Sequence, residues 1–262
     1  MNSAIDQVIN GTVQTMSHIK LDQVCKSFGD KLVLDQISLE INRGDFVALI
    51  GPSGCGKSTL LRILAQLTVI SSGSLEISKA EDDQLGYVFQ DATLLPWMNI
   101  LSNTSLPLKL SGVGRQTREQ KAAEMLQLVG LESVSNLYPR ELSGGMRMRA
   151  SIARALAKDP EILLLDEPFG ALDEMTRDDL NEELLHLREQ QDWTGVFVTH
   201  SVMEAVFLSN KIVVMSANPG RISEIIEVDL PYPRSIETRT SEHFQKKLAE
   251  VTKSLHNVRQ KG

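Results

Sequence analysis

Apolar residues recur along this chain in two rhythms. From about Ile19 to Phe28, and again over Leu32–Ile41, they alternate with polar residues, as half-buried strands require. Gly73–Ser78 and Gly86–Phe89 read as further short strands. Asp45-Phe46-Val47-Ala48-Leu49-Ile50 is an apolar run suited to a buried strand, and Leu60–Ala65 behind it has helical spacing. The middle of the chain changes character. Arg115–Val129 places Ala122, Met125, Leu126 and Val129 on one helical face. A break at Leu142-Ser143-Gly144-Gly145 precedes a helix over Met146–Ala157, which Asp159-Pro160 stops. Strands at Ile162–Leu165 and Gly195–Thr199 then alternate with helices at Met175–Gln190 and Met203–Ser209. Strands at Ile212–Met215 and Ile222–Val228 follow. Such alternation predicts a mostly parallel sheet covered on both faces. Pro231-Tyr232-Pro233 marks a boundary, beyond which Ser241–Leu255 is a weakly amphipathic helix.

The strand at Phe46–Ile50 and the helix at Leu60 flank Gly51-Pro52-Ser53-Gly54-Cys55-Gly56-Lys57-Ser58-Thr59. This is the phosphate-binding spacing G-x-x-x-x-G-K-[ST] in its required context of strand, glycine loop and helix N-terminus. The loop aims backbone N–H groups at one point, and the helix dipole adds positive charge there. The point suits the β- and γ-phosphates of a nucleotide. Lys57 supplies a charge to them and Ser58 a hydroxyl to Mg²⁺.

Ile162-Leu163-Leu164-Leu165-Asp166-Glu167 is four apolar residues ending in two carboxylates. Ligands of parallel sheets collect at the C-terminal ends of strands. Asp166 is therefore expected to hold Mg²⁺, and Glu167 to polarise the water that attacks the γ-phosphate. His200 follows the apolar run Val196-Phe197-Val198-Thr199 and is expected at the same sheet edge, where it can donate to the γ-phosphate. Gln90 ends Tyr87-Val88-Phe89 and is placed to sense Mg²⁺ or water. Leu94-Leu95-Pro96-Trp97 reads equally as a partner groove or as core packing.

Length and composition fit this picture. At 262 residues, with 42% hydrophobic and 23% charged residues, the chain can bury a full core. The net charge of −7 argues against a general nucleic-acid binder. Cys25 and Cys55 alone cannot build a disulfide framework, which fits a reducing compartment. No apolar run approaches the roughly 18 residues of a membrane span. Met1–Ser17 carries Asp6 and no Lys or Arg, unlike a secretory signal, and reads as a loose leader.

In order along the chain, these residues resemble the ATP-binding subunit of an ABC transporter. The likeness runs from about Ile19 to Pro231. It includes the phosphate loop, Gln90, the signature Leu142-Ser143-Gly144-Gly145-Met146, the Asp166-Glu167 pair, Ala171-Leu172-Asp173 and His200. The resemblance implies an α/β cassette of the P-loop NTPase kind, with a mixed sheet core, an antiparallel β subdomain and a helical subdomain carrying the signature. Its division would be a leader over 1–17, a cassette over 18–231 with its helical part at about 91–158, and a helical tail over 232–262. It implies ATP and Mg²⁺ as cofactors. It also implies a head-to-tail dimer, in which Ser143, Gly144 and Gly145 of one copy meet the γ-phosphate held by the other, and Asp173 lines the same interface. Phe28 matches the aromatic position that stacks on adenine, with Phe in place of Tyr. Catalytic roles fall to Lys57, Gln90, Glu167 and His200, and metal contacts to Ser58, Gln90 and Asp166.

Three segments resemble importers of the nitrate/sulfonate/taurine type: Leu94-Leu95-Pro96-Trp97, the signature extended to Arg147, and Met215-Ser216-Ala217-Asn218-Pro219-Gly220-Arg221. Met148 stands where Gln is usual, between Arg147 and Arg149. The expected partners are a second ATPase subunit, a membrane permease with which Gln90 and Leu94–Trp97 make contact, and indirectly a solute-binding protein, with no nucleic acid. The expected place is the cytoplasmic face of the inner membrane, held peripherally. An exporter ATPase or a non-transport ABC ATPase is the alternative reading.

Overall fold

Two strands of alternating polarity, β1 (Ser17–Phe28) and β2 (Lys31–Asn42), pair antiparallel across a two-residue turn. With β4 (Ser72–Ile77) they form a three-stranded sheet of order β2-β1-β4. The computed structural model describes residues 17–78, 85–170, 172–191 and 193–261. All but Ser17 of the expected leader, and Ala171, lie outside them.

The second sheet is the platform for the site. It is built from β3 (Phe46–Ile50), β5 (Leu85–Val88), β6 (Ile162–Asp166), β7 (Thr194–Val198), β8 (Lys211–Ser216) and β9 (Arg221–Glu227). Its order is β5-β6-β7-β3-β8-β9, parallel except for the antiparallel β8–β9 pair. Every residue of β3, β6 and β7 is buried, which explains why these strands read as continuous apolar runs. Burying each Leu, Val or Phe stabilises the fold by about 1.5–3 kcal/mol, so this sheet is a rigid base.

Helix α1 (Lys57–Leu64) covers one face. Short helices α2 (Ile100–Thr104) and α3 (Leu106–Leu110) lead into α4 (Arg115–Leu128) and α5 (Gly144–Leu156), with one-turn 3₁₀ segments between the last two. Ala122, Met125, Leu126 and Val129 are all buried, as their spacing predicts. Helices α6 (Glu174–Gln190) and α7 (Val202–Leu208) follow β6 and β7. The chain ends in α8 (Ile236–Thr240) and α9 (Glu242–Lys261).

Several element boundaries differ from the sequence reading, and two of them bear on packing. Helix α5 begins at Gly144 rather than Met146, because Ser143 caps it by accepting from Met146 N (3.2 Å). Glycines disfavour a helix interior but are tolerated at such an end. A Cβ on Gly145 would stand 2.5 Å from Thr176 Cγ2, so the glycine permits α5 and α6 to touch. Helix α9 runs past Leu255 to Lys261, and its Phe244, Val251, Leu255 and Val258 join the main core. The tail therefore packs on its own chain. Short α2, α3 and α8 have too few residues to show a helical period in the sequence.

Candidate active site

The strand register gathers the site. Leu49 of β3 and Asp166 of β6 both pair with Val198 of β7. Thr199 N donates to Leu49 O (3.2 Å), and Glu167 N donates to Val198 O (3.1 Å). The phosphate loop, Glu167 and His200 thus leave three neighbouring parallel strands side by side, and Gln90 leaves a fourth.

Gly51, Gly54 and Gly56 all have positive φ. A Cβ on Gly51 would stand 2.5 Å from Met215 O, so only glycine fits there. A Cβ on Gly54 would meet nothing within 4 Å, because this residue faces open space. Lys57 is buried, and its Nζ donates to Gly51 O (3.0 Å) and Pro52 O (3.1 Å). Among the described residues no carboxylate pairs with it. A buried ammonium with only neutral partners, beside open space at a helix N-terminus, fits an anionic phosphate. Cys55 is fully buried beneath Lys57, and burial pushes its thiol pKa up, so it is a packing residue. Pro52 and Thr59 are half-buried, and Ser53 is exposed.

Ser58 Oγ donates to Asp166 Oδ1 (2.8 Å), and the Tyr87 hydroxyl lies 3.4 Å from Asp166 Oδ2. Asp166 is buried, and Tyr87 is held neutral: burial first, then the Asp166 charge, push its pKa to about 12. A hydroxyl and a carboxylate side by side suit Mg²⁺, which takes few protein oxygens and completes its shell with water and phosphate. Tyr87 is a site residue that sequence reasoning did not single out. Its only signal was its position on the strand beside β6.

Glu167 is in the left-handed region, with φ at 47°. Non-glycine residues reach it at a cost, and such strain clusters at functional sites. Its Oε1 lies 2.6 Å from His200 Nε2, and Gln90 Nε2 donates to its Oε2 at 3.4 Å. Gln90 thus meets Glu167, not the Ser58–Asp166 pair. Ser53, Gly54, Lys57, Ser58, Glu167 and His200 line one cleft of about 260 Å³.

Gly56 and Thr59 line it too, whereas Phe28, Ser143, Gly144, Gly145 and Asp173 do not. Ser143 and Gly144 are exposed at the start of α5, and Gly145 is buried against Thr176. Asp173 caps α6: its carboxylate accepts from Thr176 N (3.1 Å) and Thr176 Oγ1 (2.7 Å), which hold its pKa below the usual range. Phe28 is 54% exposed, with Lys26 Nζ 4.6 Å from its ring centroid. Leu94 turns towards the core, whereas Trp97 is 70% exposed. Fully buried Asn103 fixes that loop, accepting from Leu95 N (2.7 Å) and donating to the carbonyls of Leu95, Met98 and Asn99. Arg154 of α5 binds the carbonyls of Ala92 and Thr93.

Parallel strands ending in a glycine loop and a paired carboxylate define a P-loop nucleoside triphosphatase. The pattern of the ABC transporter family matches residues 34–170. An aliphatic sulfonates import ATP-binding protein, SsuB, of Bacillus cereus is 46% identical over 236 residues, covering 87% of this chain and 91% of its own. An uncharacterised ABC transporter ATP-binding protein of Methanocaldococcus jannaschii, MJ0412, is 43% identical, covering 90% and 91%. The dimeric ATP-binding cassette MJ0796, solved in a post-hydrolysis state with ADP and Pi, superposes with a TM-score of 0.71 at 33% identity, covering 81% of this chain and all of its own. This chain belongs to the ABC transporter family, as an ATP-binding subunit with ATPase activity. Among the described residues no helix is long and apolar enough to cross a membrane.

Proposed function

We propose that this chain hydrolyses ATP to energise uptake of a small polar or anionic solute, of the sulfonate, taurine, nitrate or bicarbonate kind, through a separate membrane permease. The observation that carries the hydrolytic half is the Glu167 carboxylate, fixed by His200 and Gln90 at the cleft that contains Lys57. Similarity to a sulfonate import protein supports the transport half.

Lys57 and the backbone N–H groups of the loop hold the phosphates. Ser58 and Asp166 would hold Mg²⁺, which neutralises phosphate charge when bound. Glu167 orients and polarises the attacking water, and His200 steadies Glu167 and donates to the γ-phosphate. Gln90 reports the state of Glu167 to the loop that presents Trp97, where the permease docks. Phe28 stacks on the base through the face that Lys26 leaves free.

Two copies pair head to tail. Ser143, Gly144 and Gly145 lie outside the cleft of their own chain, which suits a role on the partner's nucleotide, beside Asp173. Similarity to cassettes solved as dimers supports this pairing. The assembly sits peripherally on the cytoplasmic side of the membrane, and a solute-binding protein delivers the solute to the permease. Nucleic acid has no part in this reading.

The test is capture of the Glu167→Gln protein from native membranes in Mg-ATP, with partners identified by mass spectrometry. A multi-span permease is expected. Ribosomal or DNA-bound partners without a permease would overturn the transport half.

A further inference from the structure

Two turns of the site are joined by side chains that the reaction described above does not use. The Leu172–Asp173 turn opens α6, and the Thr199–Ser201 turn opens α7. Arg177 reaches both. Its Nη2 donates to Leu172 O (2.9 Å), and its Nε lies 3.5 Å from Glu204 Oε1. That Nε is buried and makes no hydrogen bond, so its charge is balanced by the Glu204 carboxylate.

Glu204 is itself buried, and its second oxygen accepts from the Thr199 hydroxyl. Ser201 N donates to the same hydroxyl oxygen (3.0 Å). A threonine hydroxyl has one proton, so this arrangement directs it to Glu204. Ser201 Oγ closes the circuit by accepting from Glu204 N (3.2 Å). His200 is the residue between Thr199 and Ser201, and both its neighbours are thereby pinned.

Burial pushes the Glu204 carboxyl above its usual range, and the Thr199 hydrogen bond and the charges of Arg177 and Arg239 offset this only in part. Arg239 of α8 stacks over the Phe207 ring at 4.3 Å and binds Asp178 Oδ1 at 2.6 Å, so the tail braces the same junction of α6 and α7.

We propose that Arg177 and Glu204 are positioning residues for hydrolysis: through Thr199 they fix His200 against Glu167, and through Leu172 they tie that placement to the turn bearing Asp173. Arg177 is suited to this because its planar fork holds two nitrogens at a fixed separation, Nη2 on the Leu172 carbonyl and Nε beside the Glu204 carboxylate. Signal between the partner-facing turn and the hydrolytic pair then passes inside one chain, over the side chains of Arg177, Glu204 and Thr199. The inference rests on the role given to His200 above.

The experiment compares Arg177→Met, Arg177→Lys, Glu204→Gln and His200→Ala in the full chain. Steady-state ATPase rates are read beside ¹H–¹⁵N spectra of the histidine rings. Glu204→Gln keeps the side-chain volume and an oxygen for Thr199, and removes only the charge. We expect kcat to fall about tenfold in the Arg177 and Glu204 variants, about 1.4 kcal/mol of barrier. KM for ATP should stay within about twofold, because the phosphate loop is untouched. The His200 ring signal, assigned by its loss in His200→Ala, should move in Glu204→Gln. That of His18, bonded to Thr194 of β7, should not. Parental kcat with an unmoved His200 signal in Glu204→Gln, when His200→Ala is inactive, overturns this inference alone. Full turnover in His200→Ala overturns the role of His200 itself.

Discussion

Glu167 Oε1 and His200 Nε2 stand 2.6 Å apart, at the ends of two neighbouring parallel strands. Glu167 adopts a left-handed backbone conformation to reach this place. A carboxylate held on one side by an imidazole and on the other by the Gln90 amide has few rotamers left, so its base function is set before a water arrives. The Glu167→Gln variant should bind ATP and lose at least about a hundredfold in turnover. ATPase assay beside nucleotide titration checks this, and near-normal turnover would remove Glu167 from its role.

Lys57 is buried among carbonyl oxygens with no carboxylate partner among the described residues. Such a charge suits an anion. Lys57→Ala should weaken ATP binding by more than about tenfold, or about 1.4 kcal/mol. Calorimetric titration gives the answer, and an unchanged Kd contradicts the assignment.

Gly145 and Thr176 join the first turns of α5 and α6, where a Cβ would come within 2.5 Å of Thr176 Cγ2. Gly145→Ala should cost about 1–3 kcal/mol by overpacking. The second change Thr176→Ser removes the clashing methyl and keeps the hydroxyl that Asp173 uses. Thermal melts should therefore show recovery in the double variant, and equal melting of single and double variants would refute the contact.

Glu183 of α6 faces Arg149 of α5, with Oε2 3.1 Å from Nε, and burial pushes its carboxyl up to about 7 despite that charge. A raised carboxylate pKa means the folded state binds the proton more tightly than the unfolded chain, whose group titrates near 4.5. The resulting stability is complete below the unfolded value and is lost as pH rises through about 7. Denaturant melts of the parent should weaken over this window by an amount on the order of 3 kcal/mol, from 1.36 kcal/mol per pKa unit. Glu183→Gln should flatten the curve. A parent curve rising with pH in this window would show the sign to be wrong.

Met148 stands in the core, only 4% exposed, while its neighbours Arg147 and Arg149 turn to Leu142 O and Glu183. Met148→Gln buries an amide and should destabilise by about 1–3 kcal/mol. Its basal ATPase rate should stay within about tenfold of the parent. Melting and steady-state assays read these separately.

Local pattern is enough to define the elements of the second sheet and the identity of the phosphate loop. Strands buried on both faces must be apolar throughout, and a loop that cradles phosphate must place glycine at Gly51 and Gly56, where φ is positive. It also put Asp166, Glu167 and His200 at strand ends, because period and direction are local properties. Tertiary structure alone decided that Glu167 meets His200 and Gln90, that Tyr87 meets Asp166, and that Arg177 meets Glu204. These contacts depend on strand order and on which helix tops which strand. No local pattern encodes them, since Tyr87 and Asp166 are far apart in the chain and adjacent only because β5 lies beside β6. At the start of α5 the two glycines read as a break, whereas Ser143 caps the helix there and Gly145 leaves room for Thr176 of α6.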